Sequence, residues 1–113
     1  LHADTGKRIW HYQTVHHDIW DKDLPAPPNL IQVMRNGAKV DAVAQITKQG
    51  YIFLFDRSTG ESLFPIDELE VPNSDLDGEV ALPTQPIPRL PPPLVPQVFD
   101  MEMVTDIYVP KRF

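Results

Sequence analysis

Several features that mark particular classes of protein are missing from this 113-residue chain. It contains no cysteine, which excludes disulfides and thiolate metal sites but leaves the cellular compartment open. The formal net charge is −6 and no run of lysine or arginine occurs, so we expect no nucleic-acid partner. No stretch approaches the roughly 18 consecutive apolar residues that span a bilayer. With 42% hydrophobic and 23% charged residues, the composition is that of a globular protein.

Proline is the residue present in excess, and its distribution divides the chain. Ten of the 13 prolines lie at Pro65 or later. We therefore assign the main fold to residues 1–64 and expect residues 65–113 to form a Pro-rich, extended and largely irregular segment that packs on it. Within this second segment, residues 102–107 could begin a short helix.

The first segment has the patterns of antiparallel strands. Asn36-Gly37, the strongest short hairpin signal, lies between two strand-like runs. Residues 51–55 form an unbroken aromatic and β-branched run, typical of a central strand covered on both faces. Residues 8–13 alternate in period two, which predicts a half-buried strand with Trp10 pointing inward. The predicted strands are residues 7–13, 29–35, 38–46 and 51–56.

A short motif occurs twice along the chain. A Thr-Gly turn precedes an aromatic residue, four positions after the glycine, at Trp10 and again at Phe64. The two aromatics are 64 − 10 = 54 residues apart. A repeating unit of this size, built of short antiparallel strands, is typical of a propeller blade. Thr-Gly turns before strands are also common on their own, so the repeat does not decide the fold alone.

Two longer stretches resemble a known family. Residues 1–10, LHADTGKRIW, are similar to the tryptophan-docking motif that closes each blade of the quinoprotein alcohol and glucose dehydrogenases, with His2 where aspartate is more usual. Residues 13–28, QTVHHDIWDKDLPAPP, resemble the His-Asp-x-Trp-Asp active-site loop of the glucose-dehydrogenase type. There Lys22 replaces an expected aromatic or apolar residue. Further similar stretches are residues 44–57, 83–86 and 104–107.

The resemblance implies an all-β fold, namely a partial β-propeller of about one to two blades from an eight-bladed quinoprotein propeller. Residues 1–64 would be the blade segment, with an active-site loop at residues 14–28. The implied cofactor is pyrroloquinoline quinone (PQQ), with a calcium ion whose glutamate and asparagine ligands are expected upstream of Leu1. We therefore expect a segment of a dehydrogenase that oxidises a glucose-like sugar or an alcohol, and expect it to be inactive alone.

Oxidation of an alcohol requires a base that takes the hydroxyl proton while hydride leaves for the quinone. The loop offers three carboxylates, those of Asp18, Asp21 and Asp23. The resemblance assigns the catalytic base to Asp21 and cofactor binding to Lys48, where a cation would stabilise negative charge on the quinone as it is reduced. Without the resemblance, the aspartates are more often turn-formers that bind their own backbone, and Lys48 is an ordinary exposed lysine.

Other interpretations stay open. His16 and His17, with nearby carboxylates, could form a transition-metal site, but adjacent residues of an extended segment point opposite ways, so we assign no metal ligand. A propeller-derived structural or binding module without cofactor is the alternative to an enzyme, and retention of Asp21 with Lys48 favours the enzyme. A short protein that assembles a ring from several copies is a third possibility.

The family also implies partners and a location. We expect a sugar or alcohol substrate, a quinone or cytochrome electron acceptor, and the remaining propeller blades. The expected location is periplasmic, with any signal or membrane anchor in a part of the parent protein outside this chain. Unpaired strand edges further predict self-association.

Overall fold

The computed structural model describes residues 1–104, which form two antiparallel sheets that do not close on themselves. The first sheet has the order β1-β2-β3 and the second pairs β4 with β5. The bounds are β1 (Asn29–Arg35), β2 (Ala38–Ile46), β3 (Ile52–Asp56), β4 (Ile66–Glu70), β5 (Thr84–Pro88) and a 3-10 turn (Met101–Met103). The predicted all-β class is confirmed. No helix in this part of the chain is long and apolar enough to cross a bilayer.

The β1–β2 hairpin forms where the sequence predicts it. Asn36 (φ 50°) and Gly37 (φ 78°) both adopt left-handed backbone, as a two-residue type I′ turn requires. The turn sets the register, which runs from Arg35 opposite Ala38 to Asn29 opposite residue 44. Both strands have the predicted bounds because the signal is local to the turn and its flanking runs.

Strand β3 is buried on both faces, as predicted, but it is not the central strand. Leu54 packs with Ala42 on one face, while Phe53 and Phe55 are buried on the other. The central position belongs to β2, and the far edge of β3 makes one isolated bridge, between Phe55 and Ser62. An apolar run reports what lies above and below a strand, and it carries no information about the neighbours within the sheet.

The strand predicted at residues 7–13 is wrong, since this segment lies outside both sheets. The alternation of apolar and polar side chains in this segment still corresponds to its packing. Trp10 and Tyr12 point inward and pack on β3, with ring centroids 5.8 Å and 4.7 Å from that of Phe55. The segment lies over the face of β3 instead of along its edge, so its backbone forms no ladder. Periodicity predicts which side chains contact the sheet, although Tyr12 remains 36% exposed, and it does not supply a hydrogen-bonding partner.

Trp10 joins the two copies of the Thr-Gly motif. Its indole Nε1 donates a hydrogen bond to the backbone carbonyl of Arg57 at 2.9 Å. The ring lies against Gly60 (φ 77°), where an added Cβ would come within 2.6 Å of the indole Cγ and Cδ2 atoms. The tryptophan of the first copy therefore docks on the turn of the second.

The C-terminal segment is more ordered than predicted, because residues 66–88 contain the β4–β5 ribbon. Strand β5 was not predicted because it contains two prolines, which are unusual within strands. Backbone bonds from Arg89 to Pro65 and from Val71 to Pro83 fix the register, and they place Pro86 and Pro88 at positions where a strand forms no bond to its partner. The proline nitrogens therefore point away from β4, and their lack of N–H groups removes no hydrogen bond between the two strands.

The short helix suggested at residues 102–107 lies mostly outside the described residues. Within them, Met101–Met103 forms one 3-10 turn. Asp100 caps the turn, because its side chain accepts hydrogen bonds from the N–H groups of Glu102 and Met103.

Replacing Gly60 by alanine should destabilise the protein by about 2–4 kcal/mol, because the new methyl group overlaps the Trp10 indole and the backbone is left-handed. The matched control is Gly6→Ala at the same position of the first motif copy, where φ is 65° and no atom lies within 4 Å. It should cost only about 1 kcal/mol, the strain of left-handed backbone alone. Urea denaturation measures both values. Equal losses would show that the indole contact carries no energy.

Strand β1 should mediate self-association of the 113-residue chain, because no strand of residues 1–104 pairs with its outer edge and Leu30 and Met34 are largely exposed there. Sedimentation at high micromolar concentration should reveal dimers. Met34→Lys should weaken them, whereas Leu82→Lys, at another exposed apolar residue outside the sheets, should not. A purely monomeric chain at this concentration would contradict the prediction.

Candidate active site

The loop at residues 14–28 is built around Asp18. The Asp18 carboxylate accepts hydrogen bonds from two backbone N–H groups, Trp20 at 2.9 Å and Lys22 at 2.6 Å. Bonds of this kind stabilise a tight turn. The chain passes through left-handed backbone at Asp21 (φ 57°), a conformation that aspartate tolerates better than most residues. Asp18 therefore shapes the turn from which Asp21 extends.

Lys48 lies in the turn between β2 and β3. Thr47 holds this turn, because its N–H donates to the Tyr51 carbonyl at 2.9 Å and its hydroxyl accepts from the Tyr51 N–H at 3.2 Å. Gly50 follows in left-handed backbone (φ 83°), and its carbonyl accepts from the N–H of Leu94 at 2.8 Å. The Pro-rich segment thus supports the turn through Leu94.

The ammonium of Lys48 joins this turn to the loop. It donates to the Asp21 carbonyl at 2.9 Å, to the Asp21 carboxylate at 3.0 Å and to the Asp23 carboxylate at 2.8 Å. These three acceptors match the three N–H groups of an ammonium. The side chains of Asp21 and Asp23 are 85% and 58% exposed, and such exposed pairs contribute little to stability. The contacts therefore matter for position, since they hold one cation between two carboxylates.

The charges influence one another. The hydrogen bond from Lys48 holds the pKa of Asp23 below its usual value. The bonds to Asp23 and then to Asp21 raise the pKa of the Lys48 ammonium. A solvent-open carboxylate can accept a proton, and an adjacent ammonium can stabilise an anionic oxygen. The arrangement therefore has the parts needed to deprotonate a hydroxyl group beside an electron acceptor.

The structure brings together two of the three aspartates considered in the sequence. Asp21 and Asp23 both contact Lys48, while the carboxylate of Asp18 is taken up by backbone N–H groups. The contact between Asp23 and Lys48 was not predicted. The one sequence feature that relates to it is that Asp23 lies two residues after Asp21, which lets both side chains reach Lys48.

A cleft of about 380 Å³ opens beside the turn that carries Asp21. Trp20 and Lys22 line it from the loop, and the Lys22 ammonium lies 4.1 Å from the centroid of the Trp20 ring. Polar side chains from the β4–β5 connection form the opposite wall, namely Asn73, Ser74, Asp75 and Glu79. Asp21 and Lys48 do not line the cleft, which adjoins Asp21 only through its chain neighbours Trp20 and Lys22.

The histidine pair does not build a metal site in the described part of the chain. Residues 1–104 contain no group of three His, Cys, Asp or Glu side chains that could hold a metal ion. His16 instead contacts the β4–β5 ribbon, through Glu68 and through the side chain of Gln85. Neither contact was predicted. The family resemblance at residues 83–86 includes Gln85 but assigns it no role.

Comparison with known proteins decides the family. The model described as "Glucose/ethanol/alcohol dehydrogenase, beta-propeller domain", the PQQ model, matches residues 1–110. The chain belongs to the PQQ-dependent quinoprotein dehydrogenases. The matched region includes both Trp10 and the second Thr-Gly turn on which it docks.

Individual quinoproteins match the chain over most of its length. It is 47% identical over 91 residues to a quinoprotein glucose dehydrogenase of Gluconobacter oxydans and 48% identical over 90 residues to one of Escherichia coli, in each case 80% of this chain and 11% of the relative. A probable quinate dehydrogenase (quinone) of Xanthomonas campestris is 46% identical over 77% of the chain and 11% of its own length. The chain thus spans about a tenth of these relatives. No solved structure matches it.

The contact between Asp23 and Lys48 should depend on pH. Because the hydrogen bond lowers the pKa of Asp23, its stabilisation is present above the ordinary aspartate pKa of about 3.9 and is lost as the pH falls through the lower folded-state value. Carboxyl carbon shifts measured by NMR should give Asp23 a depressed pKa, and Lys48→Met should restore the ordinary one. Asp56, whose pKa is lowered by backbone N–H groups of Thr59 and Ser58, should not change in the variant. An Asp23 titration unaffected by Lys48→Met would contradict the contact.

Proposed function

We propose that this chain is part of a PQQ-dependent dehydrogenase that oxidises a sugar or alcohol, with Asp21 as the catalytic base and Lys48 as the cofactor-binding residue. The observation that carries the proposal is the direct contact of the Lys48 ammonium with the Asp21 carboxylate at 3.0 Å. A loop and a turn 27 residues apart thereby present a base and a cation side by side. A propeller-derived module without cofactor would have no use for this pair.

The residues present suit the cofactor. PQQ, when bound, would accept the hydride from the alcohol carbon and carry the two electrons onward. Lys48 would hold it, since a quinone gains negative charge on its oxygens during reduction and an ammonium stabilises that charge. The Lys48 side chain is about half exposed and so accessible to such a ligand. Its three present acceptors are all exposed groups of the loop, so one can be exchanged for a cofactor oxygen at little cost.

Asp21 would take the hydroxyl proton of the substrate on its carboxylate as the carbon loses hydride. Its exposure leaves at least one carboxylate oxygen open, because Lys48 contacts only Oδ2. The turn held by Asp18 keeps the base at the surface of the loop. Proton acceptance and charge stabilisation are thus divided between two residues that touch.

The substrate class follows from the cleft beside the loop and from the relatives. The polar side chains that line the cleft suit a ligand with several hydroxyl groups, and Trp20 adds an apolar surface for its ring carbons. The relatives are named for glucose, quinate and, at 35% identity, glycerol. A glucose-like sugar or another polyhydroxylated alcohol is therefore the proposed substrate.

Further parts of the proposal come from family membership alone. They are a calcium ion bound with the quinone, a quinone or cytochrome as electron acceptor, and a periplasmic location. The remaining blades would complete the cofactor site, so the 113-residue chain should bind PQQ weakly or not at all. Cell fractionation tests the location, and metal analysis of the complete protein tests the calcium.

Asp21→Asn in the complete dehydrogenase should reduce turnover by about a hundredfold or more, the scale of a lost general base, while PQQ binding is preserved. Lys48→Ala should weaken PQQ binding as well as turnover, because it removes a charge partner of the cofactor. Steady-state kinetics combined with PQQ titration separates the two effects.

Asp18→Asn is the control within the same loop, since Asp18 acts on the backbone. It should disturb the loop without removing the base. Near-normal turnover in Asp21→Asn, together with its loss in a folded Asp18→Asn variant, would show that the roles are assigned to the wrong residues.

A further inference from the structure

The side chain of Gln85 acts as a hydrogen-bonding partner for the backbone of the active-site loop. Its Oε1 accepts from the N–H of His16 at 2.9 Å, and its Nε2 donates to the carbonyl of the same residue at 2.8 Å. Gln85 is only 4% exposed, so an amide group that lost its bond to His16 would be left largely without water to replace it. One buried amide therefore fixes both backbone polar groups of His16, 69 residues away.

The same ribbon holds His16 by its ring. Glu68 on β4 places Oε1 at 3.0 Å from the His16 Nε2 atom, and this hydrogen bond lowers the pKa of Glu68. Glu68 lies opposite Pro86, the neighbour of Gln85 on β5. The two strands of the ribbon thus contact one residue at the start of the loop, one through its backbone and the other through its side chain.

The position of Asp21 depends on its direct contact with Lys48 and on anchors at the two ends of the loop. The bonds of Asp18 make the turn at residues 18–22 a small unit, but they are internal to it and do not fix it relative to the sheet. The far end of the loop is held where Gln45 Nε2 donates to the Ala26 carbonyl at 2.9 Å. The near end is held by Gln85 at His16, five residues before Asp21.

We infer that Gln85 is a positioning residue for alcohol oxidation, which sets the place of Asp21 by clamping the backbone of His16. This rests on the proposed role of Asp21 as the base. An amide is needed because it offers a donor and an acceptor at once. A carboxylate would keep the acceptor for the N–H group but oppose the carbonyl, and a hydrocarbon side chain would lose both bonds.

The test compares Gln85→Met and Gln85→Glu with the matched control Gln32→Met in the complete dehydrogenase. Gln32 also uses its amide, in a 2.8 Å bond to Asp41, but on an exposed face of the β1–β2 hairpin. Turnover is expressed per PQQ-occupied site, so that loss of folded protein does not count. Gln85→Met should lower it by about tenfold to a hundredfold, since small displacements of a reacting group have effects of this size.

Binding and dynamics give readouts that a purely structural role would not produce. The dissociation constant of PQQ should change by less than about threefold in Gln85→Met, because the Lys48 turn is held separately by Leu94. Amide hydrogen exchange should accelerate at His16 and along residues 16–22, and not at residues 47–51. Gln85→Glu, which keeps the side-chain volume, should show an intermediate loss of turnover per site. It provides the test if Gln85→Met does not fold.

The outcomes separate this inference from the proposed function. Normal turnover per site in both Gln85 variants, with a strong loss in Asp21→Asn, would overturn the role of Gln85 and leave the base assignment intact. Normal turnover in Asp21→Asn would overturn both. Equal effects in Gln85→Met and Gln32→Met would show a general loss of stability and also reject the inference.

Discussion

The docking of Trp10 is the contact on which the rest of the arrangement depends. The segment before the active-site loop has no strand partner in residues 1–104, so side-chain contacts alone fix its course. Trp10 supplies three of them at once, against Gly60, to the carbonyl of Arg57 and against the ring of Phe55. The loop that follows therefore starts from a fixed place above β3. The indole can lie this close to the turn only because residue 60 is a glycine.

The candidate site is assembled from three parts of the chain that meet only after folding. The loop carries Asp21, the β2–β3 turn carries Lys48, and the Pro-rich half supports both, through Gln85 and through Leu94. The contacts between them are mostly exposed and individually weak, and each must offset the entropy of ordering long side chains. Most buried apolar side chains of the described residues lie on β2, β3 and at Leu63, and beside the site Pro86 is fully buried next to Gln85. Position is thus set by many polar contacts, of which those of Thr47 and Gln85 are made by buried side chains.

The sequence was most informative where the physical cause is local. Asn36-Gly37 determines its turn through two left-handed residues, so both strands of the hairpin were predicted with their bounds. The β4–β5 ribbon was missed because the cost of a proline in a strand depends on its register with the partner, which no local pattern reveals. The approach of Asp21 and Lys48 came from family resemblance, and the roles assigned to them stay predictions. The contact of Gln85 with His16 spans 69 residues, and only the folded chain shows it.

The prolines of β5 also determine how the chain can assemble. Pro86 and Pro88 remove two of the three outward N–H groups of β5, and the facing strand β4 is acidic at residues 67, 68 and 70. The far edge of β3 is partly covered by the bridge at Ser62. Among the described strands, β1 is left as the one edge suited to pairing, and a two-fold contact through it uses up that edge on both copies. Association should therefore end at a closed dimer and not continue into a fibre. The two prolines of β5 thus protect the chain from aggregation through that edge.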